Sequence, residues 1–226
     1  MGRRPPRRLD RMKYCSACGT SLVRSVPEGD DRERAVCPSC EAVHYENPRN
    51  VVGCIAEFEG RLLLCRRAIE PSVGAWTLPA GFLELDESLW AGAARETWEE
   101  ARARVEPTAP HAVLDLLHIG QVYTLFRANL PRPEFEAGPE SLEVALFDRD
   151  AIPFGELAFP VVEVALRLYL DDLDSGGHHF HLGQLRWSGE GSRFDAANYD
   201  LEGHLRVPLQ GGVAEGPGSE LLRRFK

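Results

Sequence analysis

The sequence predicts an α/β fold in which a mixed sheet is sandwiched between helices, behind a small cysteine-rich module. Two pairs of closely spaced cysteines lie near the amino end. Short apolar, β-branched runs recur through the middle, and two segments with helical periodicity interrupt them. With 226 residues and 43% hydrophobic content, the chain can bury one medium domain and a smaller module.

Charge and hydropathy exclude several classes of protein. A net charge of −9 argues against a general nucleic-acid or anionic-membrane binder, and no run approaches the length of a membrane span. The first residues are basic but precede no apolar segment, so they are not a secretory signal. We expect residues 1–12 to be a disordered tail, with an organelle-targeting or anion-contacting arm as the alternative. The expected location is cytoplasmic, or an organelle stroma in a eukaryote.

The amino-terminal module carries two CxxC pairs separated by eighteen residues, Cys15 with Cys18 and Cys37 with Cys40. This spacing is typical of a four-cysteine zinc site, and a closed thiolate site supplies folding energy that so short a segment lacks. Two disulfides or free thiols are the alternatives. The sequence predicts a zinc ribbon over residues 13–46, with a structural role or as a platform for substrate contacts or a homodimer.

A second domain is predicted over residues 47–173, after a linker marked by proline and asparagine. Its strands form two hairpins, one turning at Glu59-Gly60 and one at Gly120. The predicted strands are Val51 to Phe58, Leu62 to Arg67, Val113 to Ile119, Val122 to Ala128 and Leu142 to Phe147. Cys54 and Cys65 lie in these strands outside any CxxC pair, which favours small core residues over ligands.

Two helices are predicted between the strands. Ser88 is a natural N-cap for a helix over Leu89 to Arg102, and Pro160 opens a second helix to about Leu170. The first helix should bury Trp90, Ala93, Ala94, Thr97 and Ala101, and the second Val161, Val164, Ala165 and Leu168. Trp76, before the first helix, should anchor the core.

The first helix also carries Glu96, Glu99 and Glu100, which share an arc centred well away from its apolar face. Like charges at this spacing repel, and carboxylates late in a helix oppose its dipole. Arg95, Arg102 and Arg104 are one source of compensation, as surface salt bridges. Divalent cations are the other, because Mg²⁺ is bound through a few carboxylates plus substrate phosphates.

The order of charged residues in this region resembles the signature of the Nudix hydrolases, GX5EX7REUXEEXGU. Gly81, Glu87, Arg95-Glu96 and Glu99-Glu100 occupy its fixed positions, and the preceding GAWTLPAG is also similar. Thr97, Arg102 and Ala103 depart from the signature at positions that shape packing and the end of the helix.

The resemblance implies a Nudix-type α/β/α sandwich that hydrolyses a nucleoside diphosphate linked to another moiety. Glu96, Glu99 and Glu100 would hold Mg²⁺ (or Mn²⁺), with a backbone carbonyl near Ala80 or Gly81 completing the shell. Glu87 and Arg95 would pair and hold the loop against the helix. The catalytic base is left open among Glu99, Glu140 and Glu143.

The substrate is narrowed by the combination of zinc ribbon and signature. NADH pyrophosphatases share this layout, but their SQPWPFPxS motif is absent. Stretches such as NPRNVVGCIAE and GPESLEVALF instead resemble plant chloroplast FAD and ADP-ribose pyrophosphatases and their bacterial relatives. The expected partner is a small dinucleotide or nucleotide sugar: FAD, cleaved to FMN and AMP, or ADP-ribose, cleaved to AMP and ribose 5-phosphate.

Alternatives to this substrate are NADH or NAD, NAD-cap removal from RNA, and a non-catalytic module that only binds nucleotide. Arg66 and Arg67 end a strand at a point where a guanidinium is able to contact a phosphate, and surface salt bridges are the equal alternative. Tyr123, Phe82 and Phe126 are candidates for stacking on adenine.

Residues 174–226 form an extension of unassigned role. His178, His179 and His181 are typical of a metal-binding tract, but a solvated polar segment is favoured. Gln184 to Trp187 and His204 to Val207 are candidate added strands.

Overall fold

A computed structural model of the chain describes residues 12–209. The expected basic tail lies outside the described residues except for Met12, as does the end of the predicted extension, residues 210–226. The chain divides into two compact units, one ending at Pro48 and the other beginning at Arg49.

The first unit is a three-stranded antiparallel sheet of very short strands. They are β1 (Val23–Ser25), β2 (Arg34–Val36) and β3 (Val43–His44), with β2 in the centre. Its buried apolar residues are Cys15, Ala35 and Cys37. Because so little apolar surface is buried, the cysteine cluster has to supply most of the stability of this unit.

The second unit is built on one mixed sheet, which confirms the predicted fold class. The strands are β4 (Arg49–Phe58), β5 (Arg61–Arg67), β6 (Trp76–Thr77), β7 (Ala80–Phe82), β8 (Glu106–Leu116), β9 (Gln121–Asn129), β10 (Ser141–Phe147), β11 (His179–Trp187) and β12 (Tyr199–Pro208). The order across the sheet is β10-β5-β4-β9-β8-β11-β12, while β6 pairs with β5 and β7 with β4. The pairs β4·β9 and β8·β11 are parallel and the others are antiparallel.

The residues at the turn explain the first hairpin, and prolines explain why the first strand of the second hairpin is longer than predicted. Glu59 and Gly60 both have positive φ, as a tight two-residue hairpin turn requires. β8 begins at Glu106, seven residues before the predicted start at Val113. Pro107 and Pro110 lie at irregularities in the register with β9, where a missing N–H is tolerated.

Helix α1 (Leu89–Ala101) starts as predicted, since the Ser88 hydroxyl accepts a hydrogen bond from the Ala91 amide at 3.1 Å. It ends one residue early, because Arg102 is left-handed with φ of 50°. Of its predicted core face, Ala93, Thr97 and Ala101 are buried, Ala94 is half-buried and Trp90 is largely exposed.

Helix α2 (Pro160–Asp174) runs four residues further than predicted. Its buried residues include Val161 and Ala165, as predicted. The others are Pro160, Val162, Leu166, Tyr169 and Asp172, whereas Val164 and Leu168 are only half-buried.

The helices cover opposite faces of the sheet. Ile55 packs with Leu166 of α2, whereas Cys54, next to it on β4, packs with Ala93 of α1. Trp76 is in the α2-side core, as predicted. Burial raises the pKa of the Cys54 thiol to about 12 and also raises that of Cys65, which confirms both as core residues.

The extension enlarges the sheet. The two predicted added strands fall within β11 and β12, and β11 lies beside β8. Within residues 12–209, no helix is long and apolar enough to cross a membrane.

Candidate active site on helix α1

Helix α1 turns two of its three clustered glutamates toward the sheet. Glu96 is 9% exposed and Glu100 is 7% exposed, whereas the Glu99 side chain is about half exposed. The prediction that all three share a solvated face was therefore wrong. The helix is rolled so that a stripe of two adjacent residues per turn faces inward, and this stripe contains both buried glutamates.

Strand β7 receives these two carboxylates. The Ala80 amide donates to Glu100 Oε2 at 3.0 Å. The Glu96 carboxylate lies against Gly81, where a Cβ atom would collide with both of its oxygens. A side chain at position 81 would therefore displace the Glu96 carboxylate, and both Ala80 and Gly81 lie beside the buried glutamates.

Arg95 connects the loop before α1 to the helix. Its guanidinium donates to both Glu87 oxygens, at 2.7 and 2.9 Å, to Glu96 at 2.8 Å and to Glu99 at 2.9 Å. It also donates to the Phe82 carbonyl at 3.1 Å. The Arg95 hydrogen bonds and the Glu84 amide lower the pKa of Glu87 to about 2. The structure thus brings Glu87 and Arg95 together, and Arg95 is the counter-charge of the exposed glutamate.

A fifth carboxylate, Glu140, comes from the loop before β10. The Gly138 amide donates to the Glu100 carbonyl at 2.9 Å, and a Cβ atom at Gly138 would overlap the Glu99 carbonyl. This contact presses the loop onto the end of α1, and the Glu140 carbonyl accepts from the Ala68 amide at 2.8 Å.

The buried glutamates are held in an electrostatically strained setting. The pKa of Glu100 is raised to about 8, mainly by burial and also by the charges of Glu96 and Glu140, while the Ala80 hydrogen bond and the Arg67 charge act in the opposite direction. Burial also raises the pKa of Glu96, with Glu99 and Glu140 adding to the effect and Arg95 opposing it. These carboxylates are stable as anions only beside additional positive charge.

The predicted phosphate-binding arginines differ in their surroundings. Arg66 donates to the Gly74 carbonyl at 2.9 Å and pairs with Glu143 at 3.5 Å. Arg67 donates to the Pro71 carbonyl at 2.8 Å, and its charge acts on both Glu100 and Tyr123. Arg67 is therefore the nearer of the two to the glutamates.

The three aromatic candidates are not equally accessible. Phe126 is buried with its ring edge-on to Trp90 at 5.2 Å between centroids. Tyr123 is half-buried, and burial raises its pKa to about 12. Phe82 is 45% exposed beneath the Arg49 guanidinium, 4.8 Å from the ring centroid. Phe82 alone of these presents a ring to solvent.

The glutamate cluster fits a hard divalent cation by its donor set. Glu96, Glu99, Glu100 and Glu140 outnumber the arginines whose charge reaches them, and all of their ligand atoms are oxygen. The carboxylate oxygens of Glu96, Glu99 and Glu100 do not all lie within 4.8 Å of one another, so the three glutamates do not form a closed cage. An open set of this kind suits Mg²⁺, which keeps waters and binds substrate phosphates.

The four cysteines of the first unit form a closed set. Sγ–Sγ distances are 3.4 Å for Cys18 and Cys37, and 3.6 Å from Cys40 to both Cys15 and Cys18. Zn–S bonds of about 2.3 Å place tetrahedral sulfurs about 3.8 Å apart, so the cluster fits zinc. None of the four is in a disulfide. The predicted grouping of these cysteines is confirmed.

A second charged cluster, which the sequence reasoning missed, surrounds Asp172 at the end of α2. Its carboxylate accepts hydrogen bonds from Arg127, from His181 at 3.1 Å, from the His179 ring at 2.7 Å and from Arg206 at 2.9 Å. His181 is fully buried, so the expectation of a solvated histidine tract was wrong there. The cluster depends on strand register, because His181 lies opposite Arg206 across β11 and β12.

Comparisons with known proteins agree with both units. The family described as "NUDIX domain" matches residues 46–163, and the one described as "Nudix N-terminal", a zinc ribbon, matches residues 13–46. The crystal structure of a NUDIX hydrolase from Nitrosomonas europaea superposes with a TM-score of 0.74 at 51% identity, covering 76% of this chain and 98% of that one.

Curated relatives cover less of the chain. A "MutT-like protein" of Streptomyces ambofaciens is 38% identical over 131 residues, which is 58% of this chain and 79% of that protein. The "NAD-capped RNA hydrolase NudC" of Chromobacterium violaceum is 33% identical over 94 residues, 42% of this chain. This second match spans only 34% of the relative's length.

Proposed function

This chain belongs to the Nudix hydrolase family, and from that premise we propose that it hydrolyses the pyrophosphate bond of a nucleoside diphosphate linked to another moiety. The observation that carries the proposal is the gathering of Glu99 and Glu140 around the buried Glu96 and Glu100, in excess of the arginine charge that acts on them. The acceptor set suits cations, and a cation is what a pyrophosphate needs in order to be bound and attacked.

Mg²⁺ or Mn²⁺ is the proposed ion, held by Glu96, Glu99 and Glu100 with a carbonyl of Ala80 or Gly81. When bound, it supplies neutralisation of the phosphate oxygens and a lower pKa for coordinated water. The raised pKa values of Glu96 and Glu100 support this role, because both carboxylates lack sufficient compensating charge.

The remaining residues position these ligands and the substrate. Arg95 ties Glu87 and the Phe82 carbonyl of β7 to α1, which fixes the strand whose carbonyls are proposed as ligands. Glu99 is the most exposed glutamate of the three, and we propose it as the base that removes a proton from the attacking water. Glu140 is the second candidate for that role, and Glu143 is less favoured because it pairs with Arg66.

FAD and ADP-ribose are the proposed substrates, in keeping with the resemblance of this sequence to the plant chloroplast pyrophosphatases. Both present an adenine and a diphosphate. We assign the adenine to the exposed ring of Phe82, with Tyr123 as the half-buried alternative, and the phosphates to Arg66 and Arg67. For the first unit we propose structural zinc, because the four cysteine sulfurs leave no open coordination position and the unit buries little apolar surface.

The test is to incubate the purified protein with FAD, ADP-ribose or NADH and millimolar Mg²⁺ and to separate the products by chromatography. FMN plus AMP, or AMP plus ribose 5-phosphate, is expected. Glu99→Gln should lower turnover by about 10²- to 10⁴-fold, the usual contribution of a general base. The matched control is Glu163→Gln, which removes a helical glutamate paired with an arginine on α2 and should leave turnover unchanged.

The other outcomes identify the alternatives. If NADH is hydrolysed and neither FAD nor ADP-ribose is cleaved, the protein would be assigned as an NADH pyrophosphatase. Full turnover in the Glu99 variant would remove Glu99 as the base, and Glu140→Gln would then be tested in the same assay. Absence of product from all three substrates, with zinc and magnesium present, would indicate a non-catalytic nucleotide-binding module.

A further inference from the structure

Arg102 and Arg104 do not compensate the glutamates of α1, which was one of the roles that the sequence left open. Both guanidinium groups lie over the indole of Trp98, with distances from Cζ to the ring centroid of 5.7 Å for Arg102 and 4.7 Å for Arg104. Within residues 12–209, neither forms an ion pair, whereas Arg95 takes up the nearby glutamates. Two arginines therefore remain uncompensated around one half-exposed aromatic ring.

These residues form one wall of a cleft of about 850 Å³. Val105 and Glu106 continue this wall, and residues 131–136 form the facing one. Trp98 lies two positions from both Glu96 and Glu100, so its side chain leaves α1 about 160° away from theirs. The cleft is therefore on the other side of the helix from the glutamates.

The backbone at Arg102 is the second unusual feature. Arg102 is the left-handed residue that ends α1, with φ of 50°. Glycine adopts this conformation without strain and an arginine does not. The arginine that occupies the position places its guanidinium on Trp98, so the strained residue is also one that lines the cleft.

Stacked arginines of this kind are prepared to bind a phosphoryl group. The ring orients each guanidinium. Arg102 donates from Nη1 to the Trp98 carbonyl at 3.5 Å, and the other N–H groups of the two arginines match the oxygens of a phosphate. The facing wall is different in character, because Glu134 and Glu136 lie on it. In the part of the chain that the structure describes, only Glu134 of these two has an arginine partner, Arg132 at 3.4 Å. A ligand that suits both walls needs an anionic end and a part that donates hydrogen bonds.

We propose that this cleft binds a nucleoside monophosphate group. The phosphate would be held by Arg102 and Arg104, and ribose hydroxyls or base amino groups would donate to Glu106 and Glu136. The same chemistry is offered by a free mononucleotide and by the 5′ end of a single-stranded RNA. The site is separate from the acidic cluster and needs no catalytic turnover.

The experiment is an NMR titration of the full-length protein with AMP, following the indole N–H signal of Trp98, which is assigned by its loss in Trp98→Phe. AMP should shift this signal in a saturable manner, and adenosine should not. The double variant Arg102→Gln/Arg104→Gln should weaken the apparent affinity at least tenfold. The matched control, Arg61→Gln, removes an arginine that lies over Phe58, 5.9 Å from Cζ to the centroid, and should leave the titration unchanged.

Two arms complete the test. A short 5′-phosphorylated oligoribonucleotide that binds at least tenfold tighter than AMP would assign the site to an RNA end, and equal affinity would assign it to the free nucleotide. Equal shifts with adenosine and AMP, an unaltered titration in the double variant, or no shift at millimolar AMP would each overturn the proposal. Because the readout is binding at Trp98, these results do not depend on whether the protein hydrolyses any substrate.

Discussion

Two groups of charged side chains lie on opposite faces of the same sheet, and they differ in how their charge is balanced. The acidic cluster on the α1 face consists of Glu87, Glu96, Glu99, Glu100 and Glu140. Among residues 12–209, Arg95 is the one cation hydrogen-bonded to it, and the Arg67 charge also acts on it. The Asp172 network on the α2 face has a single buried carboxylate, and two arginines and two histidines donate to it.

This difference in balance explains why the pKa values of Glu100 and Asp172 shift in opposite directions although both carboxylates are buried. In the acidic cluster, burial raises the pKa of Glu100 to about 8 because too few donors oppose it. Burial acts in the same direction on Asp172, but hydrogen bonds from His181 and His179 and the charge of Arg127 keep its pKa below the ordinary value. The acidic cluster therefore needs a further cation, whereas the Asp172 carboxylate already has the donors and the positive charge that stabilise its anion.

The histidines of the Asp172 network fit this interpretation. Burial lowers the pKa of His111 to about 3 and also lowers that of His181, so both rings are neutral. His111 Nε2 lies 3.0 Å from the Ala165 carbonyl and must donate to it. His181 then donates from Nε2 to Asp172, which leaves Nδ1 to accept from His204 at 3.0 Å. These bonds join β8, α2, β11 and β12.

The largest effect is expected from breaking the balanced network. Asp172→Asn removes the charge that compensates buried Arg127, and loss of one partner of a buried ion pair costs about 3–5 kcal/mol of the free energy of unfolding. Urea denaturation followed by circular dichroism measures the loss. The exposed carboxylate of Asp171 pairs with Arg206 at 2.9 Å, and Asp171→Asn should cost less than about 1 kcal/mol. Equal losses in the two variants would show that burial of Asp172 is not what gives it importance.

The sequence identified one of these clusters and not the other for a physical reason. Glu96, Glu99 and Glu100 lie within one turn of a single helix, so their spacing alone brings them together. Asp172, His181, Arg127 and Arg206 come from four different elements, and no local pattern joins them. Predicting this network requires the order of strands in the sheet, because β11 pairs with β8 in parallel and the chain between these strands includes α2.

Local signals were also limited where packing decides the outcome. The Ser88 cap, the Glu59-Gly60 turn and the buried Cys54 and Cys65 were predictable from residue type. The rotation of α1 about its axis was not predictable in this way. Including Trp90 and Ala94 in the predicted core face placed Glu96 and Glu100 on the exposed side of the helix. The contacts of Gly81 with Glu96 and of Gly138 with Glu99 fix that roll, and they connect residues far apart in sequence.

An intermediate effect is expected from pH, and it sharpens the contrast in charge balance. A divalent ion must displace the proton from Glu100, whose pKa is about 8, so proton and metal compete for the same carboxylate. Apparent affinity for Mn²⁺ should rise up to tenfold per pH unit as pH increases toward 8, and level off above it. Calorimetric titrations between pH 6 and 9 measure this slope.

Glu100→Gln tests whether that slope comes from Glu100, since glutamine does not titrate. The variant should bind Mn²⁺ more weakly and with little dependence on pH in this range. A slope as steep as that of the unaltered protein would assign the competing proton to another group. Asp172→Asn should leave the slope unchanged, because its network is on the other face of the sheet.

The smallest effect is expected at the edge of the balanced network. Arg206 donates from β12 to Asp172 and to the Ser175 hydroxyl at 2.8 Å, and pairs with Asp171. It is about one-third exposed, so solvent screens these interactions and Arg206→Gln should cost only about 0.5–1 kcal/mol. Hydrogen exchange should nevertheless show faster opening of β12 with little change in β9, because β12 is the edge strand that this arginine attaches to α2. Uniform acceleration across the sheet would contradict a local role and would make Arg206 as central to the network as Asp172.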